Sequence, residues 1–131
     1  MSALRPTYDP RTKLYTSPFA DVDVENGFVN FADAVMSAPH FHDEVPALTN
    51  GNTGATFTFK GLSELVDGVA RGLQARGFRQ GDVFAVGMPN LPETAPLVLA
   101  VLKLGGTVTV FNPIASVEEL KKIFSVTGAM F

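Results

Sequence analysis

The chain has 131 residues, 46% of them hydrophobic, and a net charge of −3. That length and apolar content suffice for one domain with a core of its own. Its 10 Lys and Arg are scattered among 13 Asp and Glu, so no basic patch exists to neutralise nucleic-acid phosphates. With no cysteine, disulfides and zinc–thiolate sites are excluded as well.

Residues 1–27 are rich in Pro, Thr and Asp without a period and predict an extended arm; residues 28–131 are expected to form the domain. Arg5, Arg11 and Lys13 stand among prolines with no continuous apolar core, so this is no secretory signal. The expected location is intracellular, cytoplasmic by default, with the peroxisome as an alternative. Asn30, followed by Phe31, Ala32 and Asp33, predicts a capped short helix to about Met36. Residues 39–46 read as a loop. Residues 45–49 and 55–59 flank Asn50-Gly51-Asn52-Thr53-Gly54 and predict a hairpin with a glycine-assisted turn.

From there helix and strand alternate. Phe59, Leu62, Leu65, Val66, Val69 and Leu73 recur at helical spacing, behind Thr58 as N-cap and before Gly77 as the stop. Residues 83–86 predict a short buried strand. Asn90 and Glu93 are spaced as N-cap and N3 of the next helix, which Leu97, Val98, Val101, Leu102 and Leu104 continue until Gly105-Gly106. Residues 108–111 form a β-branched strand. Ser116 and Glu119 make a capping-box pair ahead of Val117, Leu120, Ile123 and Phe124, with Lys121 and Lys122 in the C-terminal half, where the helix dipole favours them. The apolar run 95–111 is divided by Lys103 and Gly105-Gly106, and a membrane span needs about 20 apolar residues, so no span is expected.

Strands separated by single helices cannot pair as tight antiparallel neighbours, and right-handed crossovers make them parallel. The expected fold is α/β: three layers, a mainly parallel sheet with flanking helices, and an N-terminal extended arm and hairpin. Residues 128–131 look like the start of a further parallel strand, so the chain is expected to end inside a structural element.

Candidate chemistry is sparse. Neither Gly-x-x-x-x-Gly-Lys-Ser/Thr nor a Gly-x-Gly-x-x-Gly after a strand occurs, so no phosphate cradle is evident. Gly51 and Gly54 fit a hairpin turn, and Gly105-Gly106 a helix stop. His40, His42, Asp43 and Glu44 form a cluster with metal-ligand chemistry, but a catalytic zinc needs a third protein ligand and a second shell, and neither is evident. Ser63, Ser116 and Ser125 lack a His-Asp context for a hydrolase triad. Asn90 and Asn112-Pro113 follow strands, where α/β folds place ligands, although capping and turn chemistry account for them too. No catalytic, cofactor-binding or metal-binding residue is therefore assigned.

One stretch carries more information than these. Gly81-Asp82, an apolar strand, Pro89-Asn90-Leu91-Pro92-Glu93, Gly105-Gly106, Asn112-Pro113 and Glu118-Glu119-Leu120 occur in consistent order, with Thr58-Phe59 and Leu62 upstream. This pattern resembles the adenylate-forming acyl-CoA synthetases, the family of 4-coumarate–CoA and fatty-acid ligases, from about residue 45 onward. The resemblance implies an N-terminal portion of an ATP-dependent carboxylic acid–CoA ligase, a partial subdomain of a larger fold. Such enzymes use ATP, Mg and CoA to form an acyl-adenylate and then an acyl-CoA thioester. Their phosphate-binding loop and adenylation lysine belong to later segments, so the resemblance carries only scaffold onto this chain, namely Asn90, Glu93 and Asn112-Pro113, and no cofactor is expected to bind this portion alone. Two residues depart from the family pattern: Gly61 stands where Glu is frequent, and Pro96 where a helix-compatible apolar residue is usual, which costs a backbone hydrogen bond unless the helix begins near Thr94. The partners expected are the remainder of the parent synthetase and, through an exposed sheet edge, a second copy. The alternative is a short non-catalytic interaction module derived from such an enzyme.

Overall fold

The computed structural model describes residues 7–17, 30–37 and 43–131. Its elements are β1 (Thr7–Asp9), β2 (Leu14–Thr16), α1 (Phe31–Met36), β3 (Pro46–Thr49), β4 (Thr56–Thr58), α2 (Phe59–Ala75), β5 (Val83–Val86), α3 (Thr94–Lys103), β6 (Thr107–Val110) and α4 (Val117–Thr127).

Helix starts follow local side-chain chemistry. Asn30 accepts from Asp33 N at α1, Thr58 accepts from Gly61 N at α2, and Ser116 exchanges both capping-box bonds with Glu119 at α4. Gly61 leaves the α2 start with half a box, since it has no side chain to reach back. α3 departs from expectation. Asn90 is not its N-cap; the helix begins at Thr94 with Glu93 as an uncapped entry residue. The physical reason is Pro96, which has no N–H to donate. A start at Thr94 keeps it in the first turn, where no intrahelical donor is needed. Turn bonds Thr94 N→Leu91 O (3.0 Å) and Ala95 N→Pro92 O (3.3 Å) lead the chain in.

Helices α2 and α3 end in the same way. Phe78 N→Leu73 O (3.1 Å) with Gly77 N→Gln74 O (2.9 Å) closes α2, and Gly106 N→Val101 O (3.0 Å) with Gly105 N→Leu102 O (2.9 Å) closes α3. These are paired Schellman bonds, and they require the left-handed residue that Gly77 (φ 91°) and Gly105 (φ 72°) supply. Phe78 at the α2 stop is buried with Leu73 and Val101, the apolar contact that accompanies such a stop.

α2 buries Leu62, Val66, Ala70 and Leu73 on one stripe. Leu62, Val66 and Ala70 pack with Ala32 of α1 and Leu99 and Ala100 of α3 into one core cluster. Full burial of a Val or Leu side chain contributes about 1.5–3 kcal/mol, so this helix–helix seam is the main apolar contribution. The second cluster, Leu73, Phe78 and Val101, joins the helices to Phe84 of β5, Val108 of β6 and Phe131. Because strand side chains alternate, Thr109 points to the opposite face, where it shares a hollow with Ile123 and Thr127 of α4. No residue of α4 is fully buried.

The sheets differ from the mainly parallel sheet expected. Among the described residues there are three two-stranded sheets: β1–β2 and β3–β4 are antiparallel, and only β5–β6 is parallel. The parallel pair is the single β–α–β crossover that the helix spacing demanded. Further parallel neighbours need partners that local pattern does not provide. At the end of the chain, Met130 N→Val83 O (3.3 Å) and Ala85 N→Phe131 O (2.7 Å) run alongside β5 in the same direction. Asp82 and Val86 offer their carbonyls to Thr107 N and Phe111 N instead. The last residues therefore lie on the edge of β5 opposite β6.

The arm expected over residues 1–27 contains a hairpin where it is described. Asp9 accepts from Arg11 N through its side chain (2.8 Å) and from Lys13 N through its carbonyl (2.8 Å), which turns the chain so that Tyr8 faces Tyr15 at 4.9 Å between ring centroids. Three-residue strands were too short to show a period.

Candidate functional site

In a parallel β–α–β unit, ligands gather outside the carboxyl ends of the strands. Here that edge consists of two loops, residues 87–93 after β5 and 111–116 after β6. Phe111 N→Val86 O (3.0 Å) extends the ladder one step beyond β6. The Phe111 ring lies over Gly87, where any Cβ would collide with it. This contact explains a glycine at the end of β5 without recourse to a ligand. On its other side the Phe111 ring meets Phe124 of α4 edge-on at 6.3 Å.

Asn112 folds back on its own loop. Its side chain accepts from Ile114 N (3.1 Å) and its carbonyl from Ala115 N (2.9 Å), which sends Pro113 out of the sheet and into the start of α4. Asn90 is exposed and makes no side-chain hydrogen bond among the described residues; Thr94 Oγ1→Pro89 O (3.2 Å) shapes that loop instead. Ser116 N→Glu119 Oε2 (2.7 Å) and Glu119 N→Ser116 Oγ (3.3 Å) close the α4 box. The Ser116 backbone bond first, then its hydroxyl, hold the Glu119 carboxyl below the ordinary glutamate range.

Charge at this edge is thin. Neither loop contains Lys or Arg, and Lys121 and Lys122 lie further along α4. A nucleotide triphosphate needs a cradle of N–H groups and a cation. The described residues provide no such set. Among the described residues no group of three or more His, Asp or Glu side chains converges. Asp43 and Glu44 are exposed, and His40 and His42 lie outside the described residues. Ser63 lines a small hollow with Lys60, Glu64 and Asp43, with no histidine among them. No helix among the described residues is long and apolar enough to cross a membrane.

A shallow apolar groove of about 590 Å³ lies on the flank of α2. Leu65, Gly68, Val69 and Gly72 form its floor, Phe84 and Phe131 its wall, and Glu64 and Arg76 its charged ends. It holds no convergent polar groups of the kind that orient a substrate. Across the helix seam, Lys103 reaches Asp67 at 2.7 Å, and this hydrogen bond lowers the Asp67 carboxyl from its ordinary value.

The family profile described as "AMP-binding enzyme" matches residues 36–131. The chain belongs to that family. It is 31% identical over 117 residues to the 4-coumarate–CoA ligase-like 6 of Arabidopsis thaliana, covering 88% of this chain and 20% of that protein. A solved fatty acyl CoA synthetase of Mycobacterium tuberculosis superposes with a TM-score of 0.62 at 28% identity, over 66% of this chain and 17% of that one. The N-terminal subdomain of NpsA from Klebsiella oxytoca, in complex with 3-hydroxyanthranilyl-AMSN, shares the fold with a TM-score of 0.64 at 23% identity, over 75% of this chain and 24% of that one. The chain spans 13% to 20% of the length of the curated relatives it matches. In this structure Asn112 holds its turn, whereas Asn90 and Glu93 do not make the capping pair.

Proposed function

We propose that this chain is the N-terminal portion of an ATP-dependent carboxylic acid–CoA ligase, and that it contributes scaffold while later segments of the parent enzyme carry the chemistry. In this reading the parent has a three-layer, mainly parallel sheet of which β5 and β6 are two strands. It activates a carboxylic acid with Mg-ATP to an acyl-adenylate, then transfers the acyl group to the CoA thiol with release of AMP. A partial match is what carries the proposal: residues 36–131 fit the AMP-binding profile while the chain spans about a fifth or less of its relatives. Exposed apolar residues support it further. Ile114 (85%), Val126 (77%) and Val110 (69%) lie around α4 and the outer edge of β6, where the remainder of the synthetase would cover them.

The test uses acid-dependent exchange of pyrophosphate into ATP. The 131-residue chain alone is expected to show none, whereas a chimera in which it replaces the matching segment of the Arabidopsis relative is expected to show exchange with at least one aromatic or fatty acid. Exchange by the isolated chain, or a folded chimera inactive towards every acid accepted by the unmodified relative, would overturn the proposal. The same exposed edge favours a second reading, a non-catalytic module that pairs with another copy. Light scattering that finds a monomer at every concentration removes it.

A further inference from the structure

We propose that Asn50-Gly51, at the turn between β3 and β4, is a self-modifying site: Asn50 cyclises onto the Gly51 nitrogen and then opens to a mixture of aspartate and isoaspartate. Three observations converge on it. The Asn50 side-chain oxygen accepts from two backbone donors, Asn52 N at 3.0 Å and Thr53 N at 3.1 Å. The Gly51 N–H takes no hydrogen bond among the described residues. Nothing stands within 4 Å of where a Gly51 Cβ would be, so water reaches the turn freely.

The chemistry follows from these positions. Solvent hydroxide removes the Gly51 N–H proton, and that nitrogen attacks the Asn50 side-chain carbonyl carbon. The carbonyl electrons move onto Oδ1, the atom that already faces two N–H donors, an arrangement that stabilises a developing oxyanion. Collapse expels the Asn50 amide nitrogen, which takes a proton from water and leaves as ammonia, closing a five-membered imide. Water then adds to either imide carbonyl. Opening on one side leaves an aspartyl side chain; opening on the other routes the main chain through the side-chain carboxyl and gives isoaspartate. The hairpin supplies the orientation. Asn50 N→Ala55 O (2.8 Å) and Gly54 N→Asn50 O (2.8 Å) hold the backbone on both sides of the reacting atoms. Among the described residues the other asparagines lack the set: Asn112 precedes Pro113, which has no N–H to attack, the Asn90 side chain has no donor on its oxygen, and Asn30 and Asn52 precede Phe31 and Thr53, whose side chains crowd the attacking nitrogen; a second Asn-Gly pair, Asn26-Gly27, lies outside the described residues. Isoaspartate inserts an extra methylene into the main chain at the turn that sets the β3–β4 register.

The 131-residue chain is incubated at neutral and at alkaline pH, in native buffer and in urea, and modification is read by peptide mapping that separates aspartyl from isoaspartyl products. The expected result is modification at position 50 ahead of Asn30, Asn52, Asn90 and Asn112, faster at alkaline pH, and about tenfold faster in native buffer than in urea, well below the ~10²-fold of one oxyanion donor in a dry enzyme site. Gly51→Ala, at a position where its Cβ meets nothing, is expected to slow it severalfold. A native rate equal to or below the rate in urea overturns the proposal, as does earlier modification at Asn30, Asn52, Asn90 or Asn112 or an unchanged rate in Gly51→Ala.

Discussion

Gly106 tests how tightly the two helix stops are joined. A Cβ at this position would lie 2.5 Å from Phe78 Cζ, 2.7 Å from Cε1 and 3.0 Å from Val101 Cγ1. Phe78 is 3% exposed and has Phe131 at 5.1 Å and Phe84 at 6.2 Å between ring centroids, so its ring has little room to retreat. Gly106→Ala is therefore an overpacking change and is expected to cost about 1–3 kcal/mol. With a urea m-value of about 1–3 kcal/mol per molar, the unfolding midpoint falls by roughly 1 M. Gly105→Ala is the informative control. Its Cβ would lie 2.8 Å from Cγ of Gln80, an exposed side chain that can turn away, so its cost is mainly the left-handed backbone, about 1–2 kcal/mol. The two losses thus have different remedies. Phe78→Leu removes the obstacle, so Gly106→Ala should cost less in that background, with a coupling of at least about 1 kcal/mol, while Gly105→Ala should cost the same in either. A Gly106→Ala midpoint equal to that of the parent chain, or no coupling to Phe78, refutes this account of the junction.

Ser116→Ala removes the α4 cap and is expected to cost that helix about 1 kcal/mol, read as lost far-ultraviolet helicity. The Glu119 half of the box has a lowered folded pKa, so its contribution is present above the unfolded pKa and is lost as pH falls through the folded one; an acid titration of helicity should lose this component in Glu119→Gln. Asp67 likewise has a depressed pKa through Lys103, so the α2–α3 pair stabilises at neutral pH and fades on acidification through the folded value. Lys103→Met is expected to cost no more than about 1 kcal/mol, an exposed pair's contribution, and the difference should shrink in high salt.

How far the structure was legible depends on whether a feature is local. Asn30, Thr58 and the Ser116–Glu119 box act on N–H groups within three residues, and Gly77 and Gly105 on carbonyls one turn back, so these boundaries could be read directly. The α3 start misled because two local rules competed: the Asn90–Glu93 spacing favoured a cap, while Pro96 required a later beginning, and the missing N–H prevailed. Sheet composition was beyond local reading, since which strands pair depends on long-range contacts. The hairpin β1–β2 rested on an Asp9 turn within an apparently irregular stretch. At the carboxyl edge of β5 and β6 the Asn112 turn was legible, since its side chain bonds within two residues, whereas the contact at Gly87 was not, because the ring of Phe111 reaches it from a neighbouring strand.

The bonds to Met130 and Phe131 give β5 two independent neighbours. Its pleat sends alternate backbone groups to opposite sides, so the amide of Ala85 is held by Phe131 while the carbonyls of Asp82 and Val86 serve β6. In hydrogen-exchange terms, one four-residue strand therefore reports two docking events. The Ala85 amide opens when the terminal segment lifts, and the amides on either side of it open only when β6 leaves. Loosening of the chain end and loss of the parallel pair can thus be timed separately, at neighbouring positions of one strand.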